Sequence, residues 1–156
     1  MVIAMGWVGR GRVGSDRVAP RVSWDELQAM MPAVIKETLP LVPWRIERLW
    51  KLELPVRKVA VADLAWLLEL PLWQSDGVRF QVTPAQVRED PQRYPDHFAR
   101  VMACDLGYPI HLVEYNGRLV VLDGFHRLVK AAVEGRSEID AMVLSQQDLE
   151  LICASS

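Results

Sequence analysis

The chain has 156 residues, 51% of them apolar and 24% charged, which is one domain's worth of globular chain and excludes an extended disordered protein. A formal net charge of -2 excludes the global cationic field that holds a nonspecific nucleic-acid binder on phosphate, so any such contact has to be local. Cys104 and Cys153 lack the close pairing of a zinc knuckle or a redox dithiol and read as reduced cytosolic thiols.

Residues 1–22 interleave Gly6, Gly9, Gly11 and Gly14 with Arg10, Arg12, Arg17 and Arg21, and read as a flexible arm that cannot offset its ordering entropy by burial. Val2-Ile3-Ala4-Met5 is too short for a secretory core and has its basic residues on the wrong side, so no export signal is expected. Gly9-Arg10-Gly11-Arg12-Val13-Gly14 matches the dinucleotide-binding glycine pattern in letters alone. Pro20 stands where a helix should run, and no strand with a suitably placed acidic residue follows.

Residues 23–52 read as a helical extension. Ser23-Trp24-Asp25-Glu26 is a capping box, Pro32 interrupts the helix it opens, and Pro40 and Pro43 precede a second helix. There Trp44, Ile46, Leu49 and Trp50 recur at roughly helical spacing, a packing stripe whose alternative is a self-association surface and hence a homodimer. The longest apolar stretch, Val59 to Trp73, is interrupted by Asp63, Glu69 and Pro71 and falls short of the ~20 apolar residues of a membrane span. No membrane partner and a cytoplasmic location are therefore expected.

Residues 53–156 read as the main domain. Val56 to Val61 is a strand that meets a short helical turn at Ala62-Asp63-Leu64, and Val78-Arg79-Phe80-Gln81-Val82 is a second strand with Val78, Phe80 and Val82 on one face. Thr83-Pro84 opens a helix to about Glu89, and Tyr94-Pro95 opens another towards Asp105. Ile110 to Tyr115 and Arg118 to Leu122 are strands joined by Asn116-Gly117, the favoured two-residue hairpin turn. A helix over Phe125 to Glu134 is closed by Gly135, a strand covers Ile139 to Leu144, and Ser145 with Asp148 caps a last helix. The expected fold is α/β (α+β): a small mixed sheet with a β-hairpin and flanking helices, preceded by the helical extension.

The chemistry concentrates at Leu122-Asp123-Gly124-Phe125-His126-Arg127-Leu128, where a strand hands over to a helix. Phe125, Leu128, Val129 and Ala132 form the buried stripe of that helix, leaving His126, Arg127 and Lys130 on the remaining face. Cations near a helix N-terminus face the positive end of the macrodipole, an arrangement that a bound anion would relieve. The first-turn amides point the same way, Gly124 allows close approach to the backbone, and Arg127 can fork onto phosphate oxygens. An alternative reading makes Asp123 a helix cap, Gly124 a turn residue and Arg127 a partner of a surface carboxylate.

The pattern Pro109-Ile110, a hairpin, Val120 to Leu128, then Lys130-Ala131 and a closing strand resembles the ParB/sulfiredoxin-like superfamily over roughly residues 55 to 145. The resemblance implies a small α/β fold whose glycine-containing motif binds nucleotide phosphates. Gly124, His126 and Arg127 would contact phosphate, with Lys130 beside them, and Asp123 would hold the loop or sit near a metal ion. The implied ligand is ATP, ADP or CTP with Mg²⁺, together with a small-molecule acceptor.

Sulfiredoxin needs a cysteine just before the His-Arg pair and partition proteins carry a glutamate there, whereas this chain has Phe125. The residues after the motif leave no recognition helix, so sequence-specific DNA reading is not expected. The free-serine-kinase branch resembles the motif more closely, with an Asp-Gly shortly before a His-Arg pair and a glutamate base after the first strand. That branch implies Asp123, His126 and Glu69 as catalytic residues, and the alternative for Glu69 is a solvated helix position. Phosphoryl transfer or hydrolysis competes with two other readings, a nucleotide-sensing or scaffold module without turnover and a DNA-associated protein.

His97 and His111 form no ligand spacing, so no metal residues are assigned among the protein side chains. His111 reads as a half-buried partner of a backbone group. Trp7, Trp24, Trp44, Trp50, Trp66 and Trp73 all precede the motif and read as core or interface rather than as a base-stacking platform.

Overall fold

The computed structural model describes residues 23–40 and 42–153. The Gly/Arg arm over residues 1–22, with its glycine pattern, lies outside the described residues. Local capping chemistry starts several of the helices. Ser23 accepts from the Glu26 amide while Glu26 returns to the Ser23 amide, which opens α1 (Trp24–Met30). The same reciprocal box, Thr83 with Gln86, opens α5 (Pro84–Glu89), and Ser145 with Asp148 opens α8 (Gln146–Ile152).

Between α1 and the sheet lie α2 (Ala33–Thr38), which starts after Pro32, and the short α3 (Ile46–Leu49). Trp44 and Trp50 do not share this helix as their spacing suggested. Trp44 precedes it in an isolated bridge to Cys153 and is 2% exposed, whereas Trp50 caps its C-terminus and is 50% exposed. The extension shares the core of the rest of the chain: Leu27, Ile35, Leu39 and Leu49 are buried in one cluster with the sheet residues. Backbone and side chain fasten it to the C-terminal helix, with the Arg45 amide donating to the Ile152 carbonyl at 3.0 Å and Arg48 donating to the carbonyl of Cys153.

β1 (Val56–Ala60) leads directly into α4 (Val61–Leu64) and a 3-10 turn over Ala65–Glu69. β2 (Trp73–Ser75) and β3 (Val78–Val82) then form a separate two-stranded sheet. Its turn is Asp76-Gly77, both with positive φ, the same chemistry as the Asn116-Gly117 turn further on. The ladder is irregular, Phe80 takes a φ of 60°, and Val78 is 56% exposed while Phe80 and Val82 are buried.

After α5 and α6 (Pro95–Ala103), β4 (Ile110–Tyr115) and β5 (Arg118–Asp123) form the hairpin expected from Asn116-Gly117, with φ of 52° and 78° at the two turn residues. α7 (Phe125–Val133) crosses to β6 (Glu138–Leu144), which lies parallel to β4 and antiparallel to β1. The sheet order is β1-β6-β4-β5, a mixed sheet. β4 buries Ile110, His111, Leu112 and Val113 in succession, as a strand covered on both faces does, and α7 lays Leu128, Val129 and Ala131 onto it with no exposure. Gly135 ends α7 with a φ of 69°, the left-handed exit expected there. No helix among the described residues is long and apolar enough to cross a membrane.

Candidate functional site

Hairpin register brings the first two groups of the site together. His111 and Asp123 are cross-strand partners at the open end of β4 and β5, next to a register shift between His111 and Leu112. His111 Nδ1 stands 3.6 Å from Asp123 Oδ2. The chain then reverses through Gly124, whose φ of 113° sets the direction of α7 and returns Arg127 onto the strand end. Arg127 Nη2 donates to Asp123 Oδ2 at 2.9 Å, and Nη1 donates to the carbonyls of Pro109 at 3.1 Å and Tyr108 at 3.4 Å. Trp50, from the N-terminal extension, also favours the ionised form of this carboxylate. Burial alone would push the Asp123 carboxyl up, but His111, Arg127 and Trp50 more than reverse it and hold the group below its usual range.

Asp123 does not cap α7. The N-cap is Gly124, which has no side chain to offer, and Asp123 is committed to Arg127. Nor does Arg127 pair with a surface carboxylate, since both partners are mostly buried, at 17% and 14% side-chain exposure. A Cβ on Gly124 would stand 2.5 Å from Ile110 Cγ2 and 2.9 Å from its Cβ. The space left by the absent side chain is therefore filled by Ile110, not left open for the close approach of a ligand that the sequence suggests. Glycine is required here twice over, by φ and by this contact.

His126 lies against an aromatic ring rather than projecting outward. Trp73 stacks between His126, at 4.7 Å and 15°, and His97, at 5.1 Å and 11°. His97 Nε2 lies 2.6 Å from the carbonyl of Gln74. Burial first, then the charges of His97 and Arg100, push the His126 imidazole down to about 4, so it is neutral at physiological pH. Its Nε2 is buried and has no hydrogen-bond partner among the described residues. Lys130 donates to the carbonyl of Cys104, and burial raises the Cys104 thiol above its usual range.

The structure thus brings Asp123, Gly124 and Arg127 into one bonded unit, with His126 and Lys130 on the same helix anchored to neighbouring elements. Glu69 is exposed at the end of the 3-10 turn and lines a cleft of about 290 Å³ with Ala65, Leu68, Ala85, Arg88 and Glu89. Asp123, His126 and Arg127 are not among the residues lining that cleft. Among the described residues no group of three or more His, Cys, Asp or Glu side chains could hold a metal ion. Sequence reasoning missed His111, Trp50 and Trp73 as members of the site. The cross-strand pairing of His111 with Asp123 was open to discovery by counting outward from the Asn116-Gly117 turn, whereas the two tryptophans arrive through tertiary packing alone. The chain matches no protein-family model, no curated protein and no solved structure.

Proposed function

We propose that the chain is a nucleotide-binding protein of the ParB/sulfiredoxin-like kind, which takes the phosphates of ATP, ADP or CTP with Mg²⁺ at the junction of β5 and α7. The observation that carries this reading is the Arg127 guanidinium, held by Asp123 and two carbonyls beside the first turn of a nine-residue helix. First-turn amides have no partner within their own helix and favour an anion there. A guanidinium has five donors, so Arg127 can keep these bonds and still present an edge to phosphate. The orphaned Nε2 of His126 in the same turn adds a buried polar atom that a ligand group can satisfy.

Mg²⁺ is commonly held by one or two carboxylates together with phosphate oxygens and water. With Asp123 committed to Arg127, the ion in this reading travels mainly on the phosphates and neutralises their charge. Transfer or hydrolysis of the terminal phosphate on a small-molecule acceptor extends the proposal, with Asp123, His126 and Glu69 in the roles the resemblance implies. A second reading, a module that holds nucleotide without turnover, is favoured by the position of Glu69 in a cleft whose lining omits Asp123 and His126. Titration of wild type and Arg127→Ala with the three nucleotides and Mg²⁺, followed by a phosphate-release assay, tests binding and separates the two readings. Loss of turnover in His126→Ala or Asp123→Ala beyond the loss of affinity favours catalysis; nucleotide binding with no turnover in wild type favours the module.

A further inference from the structure

We propose that Arg100 is a second phosphate-binding residue of the β5–α7 site, engaging the terminal phosphate of a nucleotide whose inner phosphates lie on Arg127; this rests on the nucleotide reading above. Two contacts fix where Arg100 stands. His97 of α6 stacks on Trp73 at 5.1 Å, and the same ring carries His126 of α7 at 4.7 Å. Two turns further on, the carbonyl of Cys104, the C-cap of α6, accepts from Lys130 of α7. Arg100 lies between these points, three positions after His97 and four before Cys104, a spacing that sets all three on one side of the helix. The turn that joins them is closed by the Cys104 thiol donating to the Arg100 carbonyl at 3.3 Å. The side of α6 that carries Arg100 is therefore the side tied to His126 and Lys130.

Arg100 is half-buried, yet its guanidinium makes no ion pair and no side-chain hydrogen bond among the described residues. Asp96, one turn earlier on α6, forms no bridge to it, and Asp105, in the loop beyond, gives its carboxylate to the Gly107 amide at 2.7 Å. The other two cations of the junction are engaged, Arg127 on Asp123 and two carbonyls and Lys130 on the Cys104 carbonyl. A half-buried guanidinium has given up part of its hydration, and here the fold returns nothing for it. An external anion completes such an arrangement. Burial first, and then charges that include those of Arg100 and Arg127, lower the His126 imidazole, as two cations close to the first turn of α7 would.

A single phosphate is already served by Arg127 and the first-turn amides of α7. A second guanidinium on the neighbouring helix is of use to an anion that carries charge at more than one place along its length. The phosphates of a triphosphate stand side by side, so guanidiniums on adjacent helices can each take one. Arg100 thereby makes the site selective for polyphosphates, and its contribution belongs to the phosphate chain rather than to the base. Arg100→Gln removes the charge while keeping most of the side-chain stem, and Arg100→Lys keeps the charge without the fork.

The experiment is calorimetric titration of wild type, Arg100→Gln, Arg100→Lys and Arg127→Ala with ATP and with inorganic tripolyphosphate, each with Mg²⁺, beside thermal melts of the ligand-free proteins. Arg57→Gln, which removes an exposed cation on β1, controls for the loss of one charge. Arg100→Gln is expected to weaken ATP and tripolyphosphate alike by about tenfold, with Arg100→Lys between it and wild type and Arg57→Gln unchanged. The ligand-free melt of Arg100→Gln should match wild type, since no partner is lost. An equal loss in Arg57→Gln overturns the inference, as does an Arg100→Lys as weak as Arg100→Gln or a ligand-free Arg100→Gln that melts several degrees lower. ATP binding that is lost in Arg127→Ala but untouched in Arg100→Gln overturns it and leaves the phosphate site standing. Folded wild type that binds neither ligand overturns both.

Discussion

Arg127 reaches back one helical turn to Asp123, Nη2 to Oδ2 at 2.9 Å, across a glycine whose place is dictated by Ile110. The pair is mostly buried, so it behaves differently from an exposed ion pair. Its members have shed much of their water, and removing one leaves the other without its counter-charge. Asp123→Asn is expected to destabilise the fold by about 2 kcal/mol, below the ~3–5 kcal/mol of a fully buried broken pair. Urea denaturation measures this, and a loss within error of zero would mean that solvent already screens the pair.

Gly124→Ala is expected to cost about 3 kcal/mol, the sum of strain at a left-handed φ and overpacking against Ile110. The two terms separate in a double-mutant cycle. In an Ile110→Ala background, Gly124→Ala should cost about 1 kcal/mol less, since Ile110 Cγ2 is the atom nearest to the added carbon. Additive effects would place the whole cost in the backbone conformation.

His126 predicts a specific acid sensitivity. Its folded-state value lies at about 4 against an ordinary 6.5, so between these pH values the unfolded chain binds a proton that the folded chain refuses. Stability should therefore fall as the pH drops from about 6.5 and level off below about 4, by at most about 3 kcal/mol. Asp123 works in a separate window. Its carboxyl is held below its ordinary 3.8, so the stability it contributes is present above that pH and is lost as the pH falls through the lowered value. Comparing urea midpoints at about pH 7 and about pH 5, His126→Phe should lose less than wild type, and equal losses would assign the sensitivity to other groups.

The two tryptophans that bracket α3 should part company on substitution. Trp44 is 2% exposed beneath the C-terminal bridge, and Trp44→Ala is expected to cost about 3–5 kcal/mol. Trp50→Ala removes a half-exposed ring and should cost about 1 kcal/mol. Thermal melts of the two variants check this, and similar losses would contradict their different burial.

Much of the fold was legible because short-range chemistry decides it. Ser23 with Glu26, Ser145 with Asp148 and the Asn116-Gly117 turn each act over a few residues, and the structure has them as their side chains require. The Asp76-Gly77 hairpin was equally short-range. Its first strand leaves little signal, because β2 is only three residues long and two of them, Gln74 and Ser75, are polar. At the site, the motif itself was readable, but the partners that define its electrostatics were not. The stack of His97, Trp73 and His126 joins three distant segments, and no periodicity links Trp50 to Asp123. The same packing turns two residues of one helical face away from solvent, Lys130 donating to the Cys104 carbonyl and His126 held as a neutral ring.

Calorimetry of the purified protein with ATP, ADP and CTP in the presence of Mg²⁺ tests most directly whether the β5–α7 junction grips nucleotide phosphate through Arg127. Saturable binding of at least one nucleotide by wild type, abolished in Arg127→Ala while the variant keeps a cooperative melt, is the predicted result. No binding of any of the three by folded wild type, or undiminished binding by Arg127→Ala, would contradict it.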